Sequence, residues 1–174
     1  MDAVHALLQE QSVRDLTMEA VAKRAGVGKP TLYKWWPSKA ALVLAMFHER
    51  LARADQATTA KTAEAVLRTK VRRLIALLNA DFGKVMADLI AEGQSEPAVL
   101  RDLFEQHMSA RRAAVVADIE RGQAAGEFSA DADSELMIDG MIGPIYFRLL
   151  MRQSLLTQEF GQAIVSQVPR GVRP

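Results

Sequence analysis

The sequence predicts an all-α protein in two parts, a small three-helix N-terminal domain and a larger C-terminal helical bundle, and three observations carry that expectation. Apolar residues recur at i, i+3, i+4 and i+7 through nearly every segment, the period of an amphipathic helix, while the alternation of a half-buried strand is hard to find. Within residues 17–42, two short helical patterns are separated by Gly26-Val27-Gly28 and bounded by Pro30 and Pro37-Ser38, so each has a chemical start and stop. The Ala-, Thr- and Lys-rich stretch DQATTAKTAEA at 55–65 interrupts the periodicity and is the expected break. The division is drawn at 1–47 for the first domain and 48–174 for the second.

Each element follows from its residues. Val4, Leu7 and Leu8 mark the inner face of the first helix, Met18, Val21, Ala22 and Ala25 that of the second, and Leu32 and Trp36 that of the third. Together they predict one small core. Thr17 suits an N-cap, because its hydroxyl accepts an otherwise orphan backbone N–H, and Gly26 suits the left-handed residue after a helix. Pro30 fits the first turn of the third helix, where a missing N–H costs nothing, while Pro37 stops that helix and Ser38 caps the fourth. The fourth helix runs from about 39 into the 50s, and its Leu42, Met46 and Phe47 are expected to bridge the two cores. Two amphipathic helices follow, one carrying Leu67, Val71, Leu74, Ile75 and Leu78, the other Phe82, Val85, Met86, Leu89 and Ile90. After Ser95-Glu96-Pro97 a single long helix is expected, with Leu100, Phe104, Met108, Val115 and Ile119 in its stripe and an end near Gly122 to Gly126. From Asp133 to Met151 apolar residues occur nearly all round, which predicts burial on more than one side. A last helix follows Thr157, with Phe160, Ile164 and Val168.

Composition removes several function classes. The 174 residues include 49% hydrophobic and 25% charged, the balance of a globular chain and not of a disordered one. With no Cys, disulfides and thiolate metal sites are excluded, and a reducing cytoplasm fits. The most apolar stretch, residues 137–151, is too short to span a bilayer and contains Asp139 and Arg148, so no membrane association is expected. The chain lacks HExxH, GxSxG, GxxxxGK and a Gly-rich nucleotide fingerprint after a strand. His5, His48 and His107 fall on three different helices without metal-ligand spacing. No enzyme, metal or cofactor is therefore expected.

The net charge is only +1, so any case for nucleic acid rests on where charge sits. Between residues 14 and 39, Arg14, Lys23, Arg24, Lys29, Lys34 and Lys39 stand against Asp15 and Glu19 alone, a local balance of +4. Two helices joined by a tight Gly turn form a helix-turn-helix, whose second helix can lie in a DNA major groove. If Leu32 and Trp36 face inward, Lys29, Thr31, Tyr33 and Lys34 project outward, offering donors and an aromatic ring to base edges and phosphates. An all-α ligand-binding or interaction protein without a DNA role needs the core but not this face. Retention on duplex DNA at low salt, lost steeply as salt rises, separates the two.

At these residues the chain resembles the tetracycline-repressor (TetR) family of bacterial regulators. Leu16, Thr17, Met18, Val21, Ala22, Ala25, Gly26, Val27, Thr31, Leu32, Tyr33, Ser38, Lys39 and Leu42 fit its N-terminal pattern over roughly residues 3–47. A less specific resemblance to a C-terminal domain of the same family runs through Gly126-Glu127-Phe128, Asp133, Glu135-Leu136, Asp139, Gly143-Pro144, Tyr146 and Arg148-Leu149-Leu150. The resemblance implies that Lys29, Thr31 and Tyr33 touch bases or nearby phosphates, that Thr17, Trp35 and Lys39 lie along the DNA backbone, and that Pro30 and Lys34 belong to the same surface. Trp36, by its spacing from Leu32, reads as core. Gly28 stands where the family often has Ser, which removes a hydroxyl cap. The first helix begins almost at Met1, where family members often carry a basic arm, and no minor-groove contact is assigned.

The resemblance further implies a homodimer on a palindromic operator and a small-molecule effector, usually releasing a repressor. Pocket candidates are Leu74, Leu78, Met86, Ile90, Phe104, His107, Met108, Met137, Met141 and Tyr146, with Met suited to an adaptable wall. Any of these is more often plain core, and His107, a polar group in an apolar stripe, is more often a satisfied core histidine than a ligand contact. Gly140, Gly143, Phe147, Phe160 and Ile164 are the candidates for the dimer interface, where small residues permit close helix approach. Asp139 is expected to pair with an arginine such as Arg111 or Arg148.

Overall fold

The computed structural model describes residues 1–54 and 60–168. Among them are ten α-helices, one π-helical turn and no strand, as the periodicity predicts. The expected break at 55–65 lies partly outside the described residues, since 55–59 are not among them.

Packing divides the chain into two compact units: Met1–Asp55 with Asp81–His107, and Gln56–Ala80 with Met108–Pro174. This grouping does not follow chain order, because residues 81–107 pack with the N-terminal helices.

The first unit starts with α1 (Asp2–Glu10), α2 (Met18–Ala25) and α3 (Lys29–Trp35). Their shared core is Val4, Leu8, Val13, Leu16, Met18, Val21, Ala22 and Leu32, all buried. Leu7 lies at its margin, and Trp36 does not fill it: the ring is half-buried and its residue is the extended C-cap of α3. The local chemistry is as expected. Thr17 Oγ1 accepts from Ala20 N at 3.1 Å, and Gly26 takes φ of 67°, a left-handed conformation that costs a residue with a Cβ 1–2 kcal/mol or so. Ser38 Oγ accepts from Ala41 N at 3.1 Å at the head of α4 (Lys39–Ala54). α6 (Asp81–Ser95) and α7 (Pro97–Leu103) complete the unit. Leu42, Met46 and Phe47 of α4 are all buried, and Phe47 stacks on Phe82 of α6 with ring centroids 3.8 Å apart. The bridge expected of Phe47 thus ends on a helix of its own unit.

The long helix expected after Pro97 is interrupted. Residues Phe104–Met108 form a π-turn between α7 and α8 (Ser109–Ala124). A π-turn inserts one residue, which rotates everything beyond it by about 100° relative to a continuous α-helix. In α7 the buried residues are Val99 and Leu103, one position before the expected Leu100 and Phe104, and Phe104 is 53% exposed.

In the second unit α5 (Ala63–Asn79) packs against α8 and α10 (Gln158–Gln167), and α8 against α9 (Ser134–Met151). Val66, Leu67, Val71, Ile75, Leu78, Ile119, Phe128, Met137, Ile138, Met141, Ile145, Ile164 and Val165 form its core. Thr62, Asp133 and Thr157 cap α5, α9 and α10 through their side-chain oxygens. α9 contains Pro144 and is not buried all round: Leu136, Phe147, Leu150 and Met151 are exposed. Arg112 of α8 bonds both Glu135 and Asp139, one turn apart on α9, with 2.7 Å to Asp139 Oδ1. The guanidinium's pKa is raised by the Asp139 hydrogen bond first and by Glu135 next, against some desolvation. The cation bonded to Asp139 is therefore Arg112, which the sequence reading did not name, while Arg148 donates to Leu155 O at 3.1 Å and covers the Phe160 ring.

Candidate nucleic-acid interface

α3 has a buried side and an open one. Leu32 is the residue it buries, at 6% exposure, and Lys29, Pro30, Thr31, Tyr33, Lys34 and Trp35 are all exposed, Tyr33 at 50% and Trp35 at 66%. One anchored leucine therefore presents six consecutive-turn neighbours to solvent, the arrangement a groove-reading helix needs. Gly28 is the N-cap of α3 and offers no side-chain bond, Pro30 has no backbone N–H, and Thr31 N bonds Gly28 O at 3.0 Å, so contacts of this helix with DNA rest on its exposed side chains and not on free first-turn N–H groups. The Lys34 ammonium lies 5.6 Å from the Trp35 ring centroid, a distance at which the ring's negative face favours the cation.

The other named residues flank this helix. Thr17 is exposed at the start of α2, where it caps through Oγ1. Lys29 is hydrogen-bonded to Glu19 of α2, and the ammonium beside it holds the Glu19 carboxyl below the usual carboxylate range. Lys39, at the first turn of α4, donates to Arg14 O at 2.7 Å and lies 3.7 Å from Glu92 Oε1 of α6. Arg24 is paired with Glu10. Glu19 and Glu92 are thus part of this surface's electrostatics. The sequence reading counted Glu19 as charge but missed Glu92, which is remote in the chain from its partner and gives no local signal.

The pocket candidates divide between the units. Met86, Ile90 and Phe104 belong to the first, and Leu74, Leu78, Met108, Met137, Met141 and Tyr146 to the second. Leu78, Met86, Met137 and Met141 are buried, Leu74, Ile90, Met108 and Tyr146 half-buried, and Phe104 is exposed. The side chain of His107 lies outside the described residues. Burial pushes the Tyr146 phenol up to about 12, with Arg111 opposing the shift, so the hydroxyl is neutral at physiological pH. A cleft of about 400 Å³ opens in the second unit beside Thr62, Glu64, Ala65, Arg68 and Glu127, and none of the named candidates lines it. Of the interface candidates, Gly140 and Phe160 are half-buried, Gly143 and Phe147 are exposed, and Ile164 is buried within its own unit at 7% exposure. Leu136, Leu150 and Met151 join the exposed side of α9; their spacing of three to four and seven from Gly143 and Phe147 was legible in the sequence and went unread.

Comparison with known proteins agrees with this geometry. A family model described as bacterial regulatory proteins, tetR family, matches residues 1–46, and one described as tetracyclin repressor-like, C-terminal domain, matches residues 60–168. The HTH-type transcriptional regulator YdeS of Bacillus subtilis is 29% identical over 99% of this chain and 87% of its own length. The HTH-type transcriptional regulator Rv1556 of Mycobacterium tuberculosis is 33% identical over 93% of this chain and 80% of its own. Among solved structures, the TetR family transcription regulator SCO0332 superposes with a TM-score of 0.82 at 28% identity, covering 99% of this chain and 95% of its own. Among the described residues no helix is long and apolar enough to cross a membrane, and no group of acidic, His or Cys side chains could hold a metal ion. A buried Leu32 under an exposed, cationic and aromatic α3, followed by a helical C-terminal domain, therefore has its explanation in descent: this chain belongs to the TetR family and is a DNA-binding transcription regulator.

Proposed function

We propose that the protein is a cytoplasmic, homodimeric repressor that binds a roughly palindromic operator and is released from it by an apolar or amphipathic small molecule. The observation that carries the DNA half of this reading is the open face of α3, with Tyr33, Lys34 and Trp35 exposed beside the buried Leu32. Lys29, Thr31 and Tyr33 are assigned to bases and nearby phosphates, Thr17, Trp35 and Lys39 to the DNA backbone, and Pro30 and Lys34 to the same surface. A single α3 reads only a few base pairs, and a two-fold dimer sets two copies in successive major grooves about 34 to 36 Å apart.

Substitution separates readers from anchors. Tyr33→Ala and Lys29→Ala are each expected to weaken operator binding by about 1–3 kcal/mol and to change base preference. Lys39→Ala is expected to weaken all sequences alike and to flatten the salt dependence by about one unit. Fluorescence anisotropy on an operator obtained by binding selection from random duplexes, with a salt series, measures both. Equal, sequence-independent losses at all three positions would remove Lys29 and Tyr33 from the readers.

Effector release makes a reciprocal demand. A coupling of about 1–3 kcal/mol changes operator affinity roughly 5- to 150-fold, and linkage requires DNA to weaken the ligand by the same factor. Calorimetry of a small-molecule hit with and without operator is expected to show that factor. Equal ligand affinities in the two titrations would show that the small-molecule site does not govern DNA release.

A further inference from the structure

α6 carries Lys84, Asp88 and Glu92 at i, i+4 and i+8, on one face of the helix. The first two grip the segment that follows α1, and the third reaches Lys39 of α4. Lys84 Nζ donates to Gln11 O at 3.3 Å, and Asp88 Oδ2 accepts from the N–H of the fully buried Val13 at 3.0 Å. One turn further on, Glu92 Oε1 lies 3.7 Å from the Lys39 ammonium, which itself donates to Arg14 O at 2.7 Å. Both charged side chains are mostly sheltered, at 28% and 21% exposure, so the pair is less screened than an open surface bridge. An ammonium has three donors and one positive charge. Here a carbonyl takes one donor and a carboxylate sits against the charge before any DNA arrives.

We propose that Glu92 is a built-in competitor of DNA phosphate for Lys39, so that α6 sets how much of that lysine's charge is available to the DNA backbone. The inference rests on the assignment of Lys39 to a phosphate contact. A phosphate reaching Lys39 shares the ammonium with a carboxylate or displaces it, and either costs affinity. Because Asp88 and Lys84 hold the same face of α6 to residues 11–13, Glu92 cannot withdraw by sliding of the helix alone while those two bonds persist. The competitor is therefore held in register with the lysine it opposes.

Glu92→Gln tests this, because it keeps the size and removes the charge. On a short random-sequence duplex at low salt, the variant is expected to bind about two- to fivefold more tightly, with a steeper salt dependence as Lys39 acts with its full charge. In a Lys39→Met background the same change is expected to give less than half that gain. No gain, a loss, or an equal gain in both backgrounds would overturn the proposal, the last by showing a general charge effect in its place. Lys39→Met by itself must weaken binding; if it does not, the phosphate assignment fails, which is a different result. Thermal melting reports whether Glu92→Gln folds as the parent does. Should it not, Glu92→Asp retains the charge and withdraws it by one methylene, and a failure of that variant to tighten binding likewise overturns the proposal.

Discussion

Phe147→Glu is expected to leave each chain folded and to yield a monomer at micromolar concentration, with operator affinity lower by about two to four powers of ten. Phe147 is 54% exposed, and Leu136 and Leu150, on the same side of α9, are 69% and 42% exposed. A row of large apolar side chains on an otherwise packed helix leaves unfavourable contact with water that a second copy of the same face would remove. In a two-fold dimer built on this face a glutamate there would be buried once in each copy, leaving two charges without partners. The DNA consequence follows from geometry, since each subunit alone engages one half-site and loses the effective concentration supplied by its mate. Gly143→Arg is an independent check, because a Cβ at Gly143 meets nothing within 4 Å in the monomer and the long side chain would obstruct only a partner. Sedimentation equilibrium gives the mass, and anisotropy on the selected operator gives the affinity. A dimeric Phe147→Glu protein would move the interface away from this face.

The second large effect concerns stability. Phe47→Ala is expected to cost about 3–5 kcal/mol, enough to consume much of a typical domain's margin. The side chain is fully buried, at 0% exposure, and its ring lies 3.8 Å from that of Phe82 at an interplanar angle of 23°. Removing it loses the transfer energy of an aromatic ring, the stacking contact and the packing of the cavity left behind. Phe47→Leu keeps most of the volume and should recover a large part of the loss. Chemical denaturation followed by circular dichroism measures both. A loss below about 1 kcal/mol for Phe47→Ala would mean that α4 and α6 repack around the site or do not depend on it for cohesion.

The two helices joined by that stack illustrate where sequence reading stops. Both α4 and α6 were legible as amphipathic helices, and Phe47 and Phe82 as members of their apolar faces. That the two faces meet each other, grouping residues 81–107 with the N-terminal helices, was not, because an apolar stripe specifies burial without specifying a partner. The π-turn at 104–108 was hidden for a related reason. Leu100, Phe104 and Met108 keep the i, i+4 spacing of an uninterrupted helix, so the inserted residue leaves no mark on the pattern.

By itself the sequence determined what depends on a few neighbouring residues. Thr17, Ser38, Thr62, Asp133 and Thr157 each bond a backbone N–H within three residues. Gly26 turns left-handed where the helix must end, and Leu32 anchors a third helix whose other side chains point out. These are short-range hydrogen bonds and one helical period, so composition and spacing suffice to specify them. Tertiary structure alone decided which polar groups meet across the chain. Arg112 bonds Asp139, where the sequence suggested Arg111 or Arg148, and Glu92 stands beside Lys39. Adjacent residues on a helix differ by about 100° in direction, so a long-range ion pair depends on the axial rotation of two packed helices. That rotation is set by the fit of whole apolar faces, a property of the assembled core that no short stretch of sequence contains.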